Sequence, residues 1–252
     1  MANLKVPTTF TDSRRFYRYQ HQQRQGGVAF QVRYRETDLW IRAERQLEKE
    51  ALEAVLNCRR QLEEYINDHP DFVRALTPLP DDPFAPPLVR QMLEAARKVG
   101  VGPMASVAGA IAQAVALRLK PLSASLIIEN GGDCYLDLAE ETTVGIFAGP
   151  NSPFTGRIGL RFPADRFPFG ICTSSGTIGH SLSFGKADAV TVVARDAALA
   201  DAAATALGNL VQTPGDISRV LEIAPTHPLL EGVLIIIQDK MGLWGNLELI
   251  SR

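Results

Sequence analysis

Between residues 28 and 42 apolar and polar positions alternate. Val28, Phe30, Val32 and Tyr34 share one face, and Leu39 and Ile41 resume the pattern after Glu36, Thr37 and Asp38. A period of two broken by a polar triplet predicts a β-hairpin. The period then changes. Leu47, Ala51, Val55, Cys58, Leu62 and Ile66 recur at three- and four-residue steps, which predicts an amphipathic helix over 44–66. Asn67, Asp68, His69 and Pro70 end it. Cys58 lies on the apolar stripe, where packing explains it better than chemistry does.

Residues 77–87 hold five prolines in eleven positions, which predicts a stiff, extended connection. A short helix over 88–98 and an alanine-rich helix over 105–119 follow, with Gly100 and Gly102 between them. Beyond Pro121 the pattern predicts strands at 124–129, 134–138, 143–147, 157–162, 187–194, 229–238 and 243–250. Asn130, Gly131, Gly132 and Asp133 form a tight turn between the first two. Residues 170–186 read as a Ser/Thr/Gly-rich loop. An alanine-rich helix carrying Asp201 and Thr205 and a polar helix over 215–223 complete the list. Strands outnumber βαβ alternations, so the expectation is an α+β fold, a mixed or antiparallel sheet with helices packed on it. It is read as one domain over 1–252, with a sub-lobe boundary at 77–87. The apolar run VLIIIQ (residues 233–238) must be covered by the chain's own sheet or by a partner, which leaves a homo-oligomer open.

Composition narrows the class. The 252 residues are 46% hydrophobic and 21% charged, ordinary for a globular chain able to bury a core. A net charge of −2 supplies no field to recruit nucleic acid or an acidic membrane. Residues 13–25 mix arginines, aromatics and glutamines, but the basic density stops at Arg24, so an exposed or edge segment is expected rather than a nucleic-acid arm. Residues 99–117 are uncharged, yet they are rich in Ala and Gly and include Pro103, a poor membrane span. The N-terminus has no apolar core of the signal-peptide kind. Cys58, Cys134 and Cys172 match no zinc spacing, and reduced thiols in the cytoplasm are expected.

Two features carry chemistry. Asp201 and Thr205 stand one helical turn apart, so carboxylate and hydroxyl share a face. Near them in sequence, Thr173, Ser174, Ser175, Gly176 and Thr177 offer hydroxyls and free backbone N–H groups. Hard oxygens beside such a loop suit a magnesium-bound phosphate. Each has a plainer reading: a solvated Asp, a Thr bonded back to a carbonyl, a polar loop, a simple Gly131-Gly132 turn, a loop His180 bonded to a neighbour.

Four segments in order carry a family resemblance: GPMASVAGAIAQAVA (102–116), SLIIENGGDCYL (125–136), GICTSSGTIGHS (170–181) and VTVVARDAALADAAATAL (190–207). Together they resemble the ApbE-like superfamily, whose best-known members are FAD:protein FMN transferases, over roughly residues 28 to 210. RYRETDLWIRA (33–43) and VGPMASVAGAIA (101–112) resemble a shorter, cytoplasmic branch of it, some of whose members are associated with sulfide assimilation and homocysteine formation. The resemblance implies Mg²⁺ held by Asp201 and Thr205, FAD as substrate or ligand, and flavin-nucleotide contacts from Gly131, Gly132, Asp133 and the 173–177 loop. It also implies His180 as the base and an acceptor protein with a Ser/Thr hydroxyl. The chain departs from the transferases where they carry a lysine-glycine pair, here Ala108-Gly109-Ala110, and where they carry an Asp-Pro-Arg-Thr-Gly-like turn, here SLSFGKAD after His180. Three classes therefore stay open: a Mg²⁺-dependent FMN transferase, a sulfur-pathway protein using Cys172 as a thiolate, and a flavin- or nucleotide-binding protein without turnover.

Overall fold

The computed structural model describes residues 27–177 and 183–252. The chain opens with the hairpin β1 (Val28–Tyr34) and β2 (Thr37–Ala43), paired antiparallel with Phe30 opposite Ile41 and Val32 opposite Leu39. Helix α1 (Glu48–Asp68) buries Ala51, Ala54, Val55, Cys58 and Leu62, the stripe that its periodicity predicts. It starts later than residue 44, because the Glu44 N–H donates to Ser123 Oγ at 3.0 Å and Arg45 Nε to the Leu122 carbonyl at 3.2 Å. These bonds hold the preceding residues against a distant turn.

A single turn, α2 (Asp71–Arg74), precedes the proline-rich segment. Tyr65 Oη of α1 donates to Asp82 Oδ2 at 3.0 Å and straps that segment down. Helix α3 (Pro87–Val99) begins on a proline and ends at Gly100, whose φ of 79° closes it. Residues 103–106 make a 3₁₀ turn that leads into α4 (Val107–Leu119). Elements on both sides of the proline-rich segment share one apolar cluster.

The remaining strands are β3 (Leu126–Asn130), β4 (Asp133–Asp137), β5 (Thr142–Gly145), β6 (Ile158–Phe162), β7 (Phe169–Ser174), β8 (Ala189–Ala194), β9 (Leu230–Ile237), β10 (Lys240–Gly245) and β11 (Glu248–Ser251). Helices α5 (Ala197–Asn209) and α6 (Asp216–Ile223) lie between β8 and β9. Eight strands form one sheet in the order β1-β2-β3-β4-β7-β8-β9-β10, and β11-β6-β5 form a second. Every pairing among the described strands is antiparallel. The fold is α+β. Helices α1, α3, α4 and α5 join one face of the large sheet in a common core, while residues of the small sheet pack with the other face.

Strand β9 shows why its sequence is apolar throughout. Val233, Ile235 and Ile237 point to the helical core, and Leu234 and Ile236 to the core with the small sheet. Successive side chains take opposite faces, so a strand covered on both sides reads as a continuous apolar run. The chain's own layers thus cover it.

Two local expectations are corrected. Residues 170–174, read as loop, are the core of β7, with Cys134 opposite Ile171 on one side and Cys172 opposite Val192 on the other. Phe169 and Ile171 face the small sheet while Gly170 and Cys172 face the helices, so burial on both sides erased the alternation. The single strand expected over 243–250 divides at Gly245 (φ 91°). A Cβ there would lie 2.4 Å from the Glu231 carbonyl oxygen, and the chain turns away to place β11 on the small sheet.

Among the described residues no single helix is long and apolar enough to cross a membrane.

Gly170 lets α5 sit directly on β7, because a Cβ there would lie 2.4 Å from Ala197 Cα. Gly170→Ala should cost about 1–3 kcal/mol through overpacking against backbone and lower Tm by several degrees in a thermal melt. An unchanged Tm would show that the helix can lift off the sheet freely.

Candidate functional site

Helix α5 begins where Asp196 accepts the Leu199 N–H at 3.0 Å, a side-chain N-cap. Gln91 of α3 donates to the same carboxylate at 3.2 Å, and the Ala197 N–H donates to Gln113 Oε1 of α4 at 2.6 Å. Three helices are thereby registered at one point. Gly109 of α4 meets α5 there, since an added Cβ would stand 2.2 Å from the Ala197 oxygen and 2.9 Å from Asp201 Cβ.

That contact brings Asp201 to the start of α4. Its Oδ2 accepts the Gly109 N–H at 2.9 Å. Ser106, at the N-cap position of α4, gives no side-chain cap; its hydroxyl donates to the Pro103 carbonyl at 2.7 Å instead. A carboxylate from α5 therefore serves the free N–H groups of α4's first turn, where the helix dipole also favours negative charge.

A second carboxylate comes from the β3–β4 turn. Gly131 and Gly132 adopt φ of 75° and 112°, and the Gly132 N–H donates to Glu129 Oε1 at 3.0 Å. Asn130 Nδ2 donates to the Ala108 carbonyl at 3.2 Å, tying the turn to α4. Asp133 Oδ1 accepts the Thr173 N–H of β7 at 3.2 Å. Loss of solvation pushes the half-buried Asp201 carboxyl well above the usual range, and the charge of Asp133 pushes it further; the N–H groups of Gly109 and Ala108 pull the other way. Two carboxylates thus converge beside a helix N-terminus, a surrounding that favours a shared proton or a cation.

The other expected residues divide. Thr205 lies half-buried one turn beyond Asp201 on α5. Ser174 faces α5, 3.7 Å from where a Gly208 Cβ would be. Thr173 contributes its N–H, but its hydroxyl is 2.8 Å from Thr191 Oγ1. Strand alternation puts that hydroxyl on the face opposite Asp201. Gly176 is fastened by its N–H to the Ala187 carbonyl at 2.9 Å. Thr177 donates its N–H to Ser175 Oγ at 3.1 Å and its hydroxyl to Asp188 Oδ1 at 3.2 Å. His180 lies outside the described residues. No group of three or more His, Cys, Asp or Glu side chains stands ready to hold a metal among the described residues.

Cys172 sits beneath the site, fully buried, with its S–H donating to the Ala197 carbonyl at 3.4 Å. Burial first, then the charges of Asp133 and Asp201, push its thiol well above the ordinary value. Activated thiolates sit in surroundings of the opposite kind, electropositive and partly exposed. The first turn of α4 and Glu129 join the site without any pattern along the chain that places them there. The one hint of the first is Gly109 inside an alanine-rich helix, where glycine costs about 1 kcal/mol against alanine.

A carboxyl whose folded pKa exceeds its unfolded value stabilises fully below the unfolded value and loses that contribution as pH rises through the folded one. In EDTA, wild type should therefore lose Tm relative to Asp201→Asn as pH rises from acidic to neutral; parallel curves would refute the raised carboxyl. Iodoacetamide should label Cys172 far more slowly in the native protein than in urea, as read by mass spectrometry. Equal rates would contradict its burial.

The "AbpE bacteria" family model matches residues 18–226. The chain is 42% identical over 210 residues to the UPF0280 protein MJ1526 of Methanocaldococcus jannaschii, covering 81% of this chain and 84% of that one. It is 42% identical over 219 residues to the UPF0280 protein MK0206 of Methanopyrus kandleri, covering 84% and 88%. Among solved structures, the apo flavinyl transferase ApbE of Pseudomonas stutzeri superposes with a TM-score of 0.55 at 15% identity, over 86% of this chain and 94% of that one. A mutant of the flavin transferase ApbE of Vibrio cholerae superposes with a TM-score of 0.53 at 12% identity, over 86% and 96%. At such identities the superpositions speak for the fold, an ApbE-like one. The family match and the UPF0280 relatives supply the rest: the chain belongs to the AbpE bacteria family.

Proposed function

We propose that this chain is a Mg²⁺-dependent flavin-nucleotide enzyme that takes FAD and transfers FMN to a Ser/Thr hydroxyl of an acceptor protein in the cytoplasm. One observation carries the reading: the Asp201 carboxyl accepts the Gly109 N–H at the start of α4 while Asp133 is held beside it by the Thr173 N–H, so that burial first and the charge of Asp133 second disfavour its ionisation. Such a pair is costly when both groups are ionised, and a divalent cation removes the cost. The donor chemistry fits Mg²⁺, which takes one or two carboxylates and completes its shell with phosphate and water. Asp201 and Thr205 would hold it, with Asp133 facing the same charge. When bound, the ion would neutralise the pyrophosphate and the leaving AMP.

The chain's own groups supply the remainder. The glycine turn at 131–132 lets backbone approach a ligand closely. Ser174, against Gly208 of α5, and Ser175, Gly176 and Thr177 after it would orient the phosphates. In the transfer, the bond between the FMN phosphorus and the oxygen of AMP breaks and a bond to the acceptor hydroxyl forms, with His180 proposed to take the hydroxyl proton. The flavin transferase names of the superposed proteins support the substrate class.

Titration calorimetry with FAD tests this. Micromolar binding is expected with Mg²⁺, abolished by EDTA and by Asp201→Ala. Thr205→Ala, which leaves the α4 contact of Asp201 in place, should weaken binding about tenfold or more without changing Tm. Metal-independent binding, or none under either condition, would overturn the proposal. Tight binding without AMP release would assign a nucleotide-binding protein instead of a transferase.

A further inference from the structure

Phe184 is 56% exposed, and a lone exposed apolar side chain is ordinary. Its backbone is not ordinary. The Phe184 N–H donates to Asn209 Oδ1 at 2.8 Å, and its carbonyl accepts from Gln212 Nε2 at 2.8 Å. Next to it, Gly185 packs backbone to backbone on α5, because a Cβ there would stand 1.9 Å from the Gly208 oxygen. The Lys186 N–H then donates to the Val211 carbonyl at 2.8 Å. The segment is clamped residue by residue to the C-terminal end of α5, yet it leaves an aromatic ring in solvent.

The position of the clamp matters. Asp201, Thr205 and Asn209 follow one another at four-residue steps on α5, so they form one stripe along the helix. Asn209, which holds Phe184, is about 6 Å along the axis beyond Thr205. A nucleotide whose phosphates lie at Asp201 and Thr205 must carry its planar ring several ångströms away, and the stripe leads to Phe184. An exposed ring on a fixed backbone binds a flat heterocycle with little ordering cost.

We propose that Phe184 is a stacking platform for the heteroaromatic ring of the nucleotide, and so sets the site's preference for a ring-bearing pyrophosphate over pyrophosphate itself. This rests on the flavin-nucleotide reading above. The test is calorimetry of wild type, Phe184→Ala and Phe184→Trp with FAD, ADP, FMN and inorganic pyrophosphate, each with Mg²⁺. Phe184→Ala should weaken FAD about tenfold or more and leave pyrophosphate unchanged, while Phe184→Trp keeps the wild-type affinity. A matching loss for ADP identifies the stacked ring as adenine, and a matching loss for FMN identifies it as the flavin. Equal affinities of wild type and Phe184→Ala for all ring-bearing ligands, or a loss that extends to pyrophosphate, overturns the inference alone. A wild-type chain that binds none of the four overturns the function proposed above together with it.

Discussion

The approach of Ala197 to two glycines is the contact on which the rest of the molecule depends. Gly170 beneath it and Gly109 beside it offer no Cβ, so α5 lies directly against both a strand and a second helix. Its N–H is taken by Gln113 and its carbonyl by the Cys172 thiol. Such packing cannot shift gradually, because backbone atoms in contact do not repack as flexible side chains do. The start of α5 is consequently a fixed point from which the positions of Asp201, Thr205 and Asn209 follow.

From that point the local electrostatics are set. Helix α4 starts without a side-chain cap of its own and borrows a carboxylate from α5. The β3–β4 turn delivers a second carboxylate, held by a backbone N–H of β7. Each aspartate is satisfied by a backbone donor, yet the two remain near enough for the charge of one to disfavour ionisation of the other. Two such carboxyls are costly when both ionise, and under the proposed function a bound cation would remove that cost. Cys172 lies fully buried under the pair, its S–H on the Ala197 carbonyl.

Much of the frame was legible along the chain. The hairpin at 28–43 and the stripe of α1 were visible because each has one face in the core and one toward solvent, so the pattern carries the period. The Asn130–Asp133 turn was visible because positive φ selects glycine. Strand β7 was hidden for the opposite reason: buried on both faces and carrying a glycine and a cysteine toward the helices, it offers no alternation. The split between β10 and β11 was likewise hidden, since it follows from a backbone contact between Gly245 and Glu231 far away in sequence.

For the site, the sequence by itself determined the chemical types and their local spacing: a carboxylate and a hydroxyl one helical turn apart, a glycine turn ending in an acid, and a run of hydroxyl residues. These are short-range facts, because helix and turn geometry depend on neighbours within a few residues. Only the tertiary structure decided that Asp133 would approach Asp201, that the N-terminus of α4 would meet both, that the Thr173 hydroxyl would turn to the far side of the sheet, and that Cys172 would be sealed beneath. Those outcomes depend on strand register and on how closely α5 can approach α4 and β7, and no spacing along one segment encodes the distance between two.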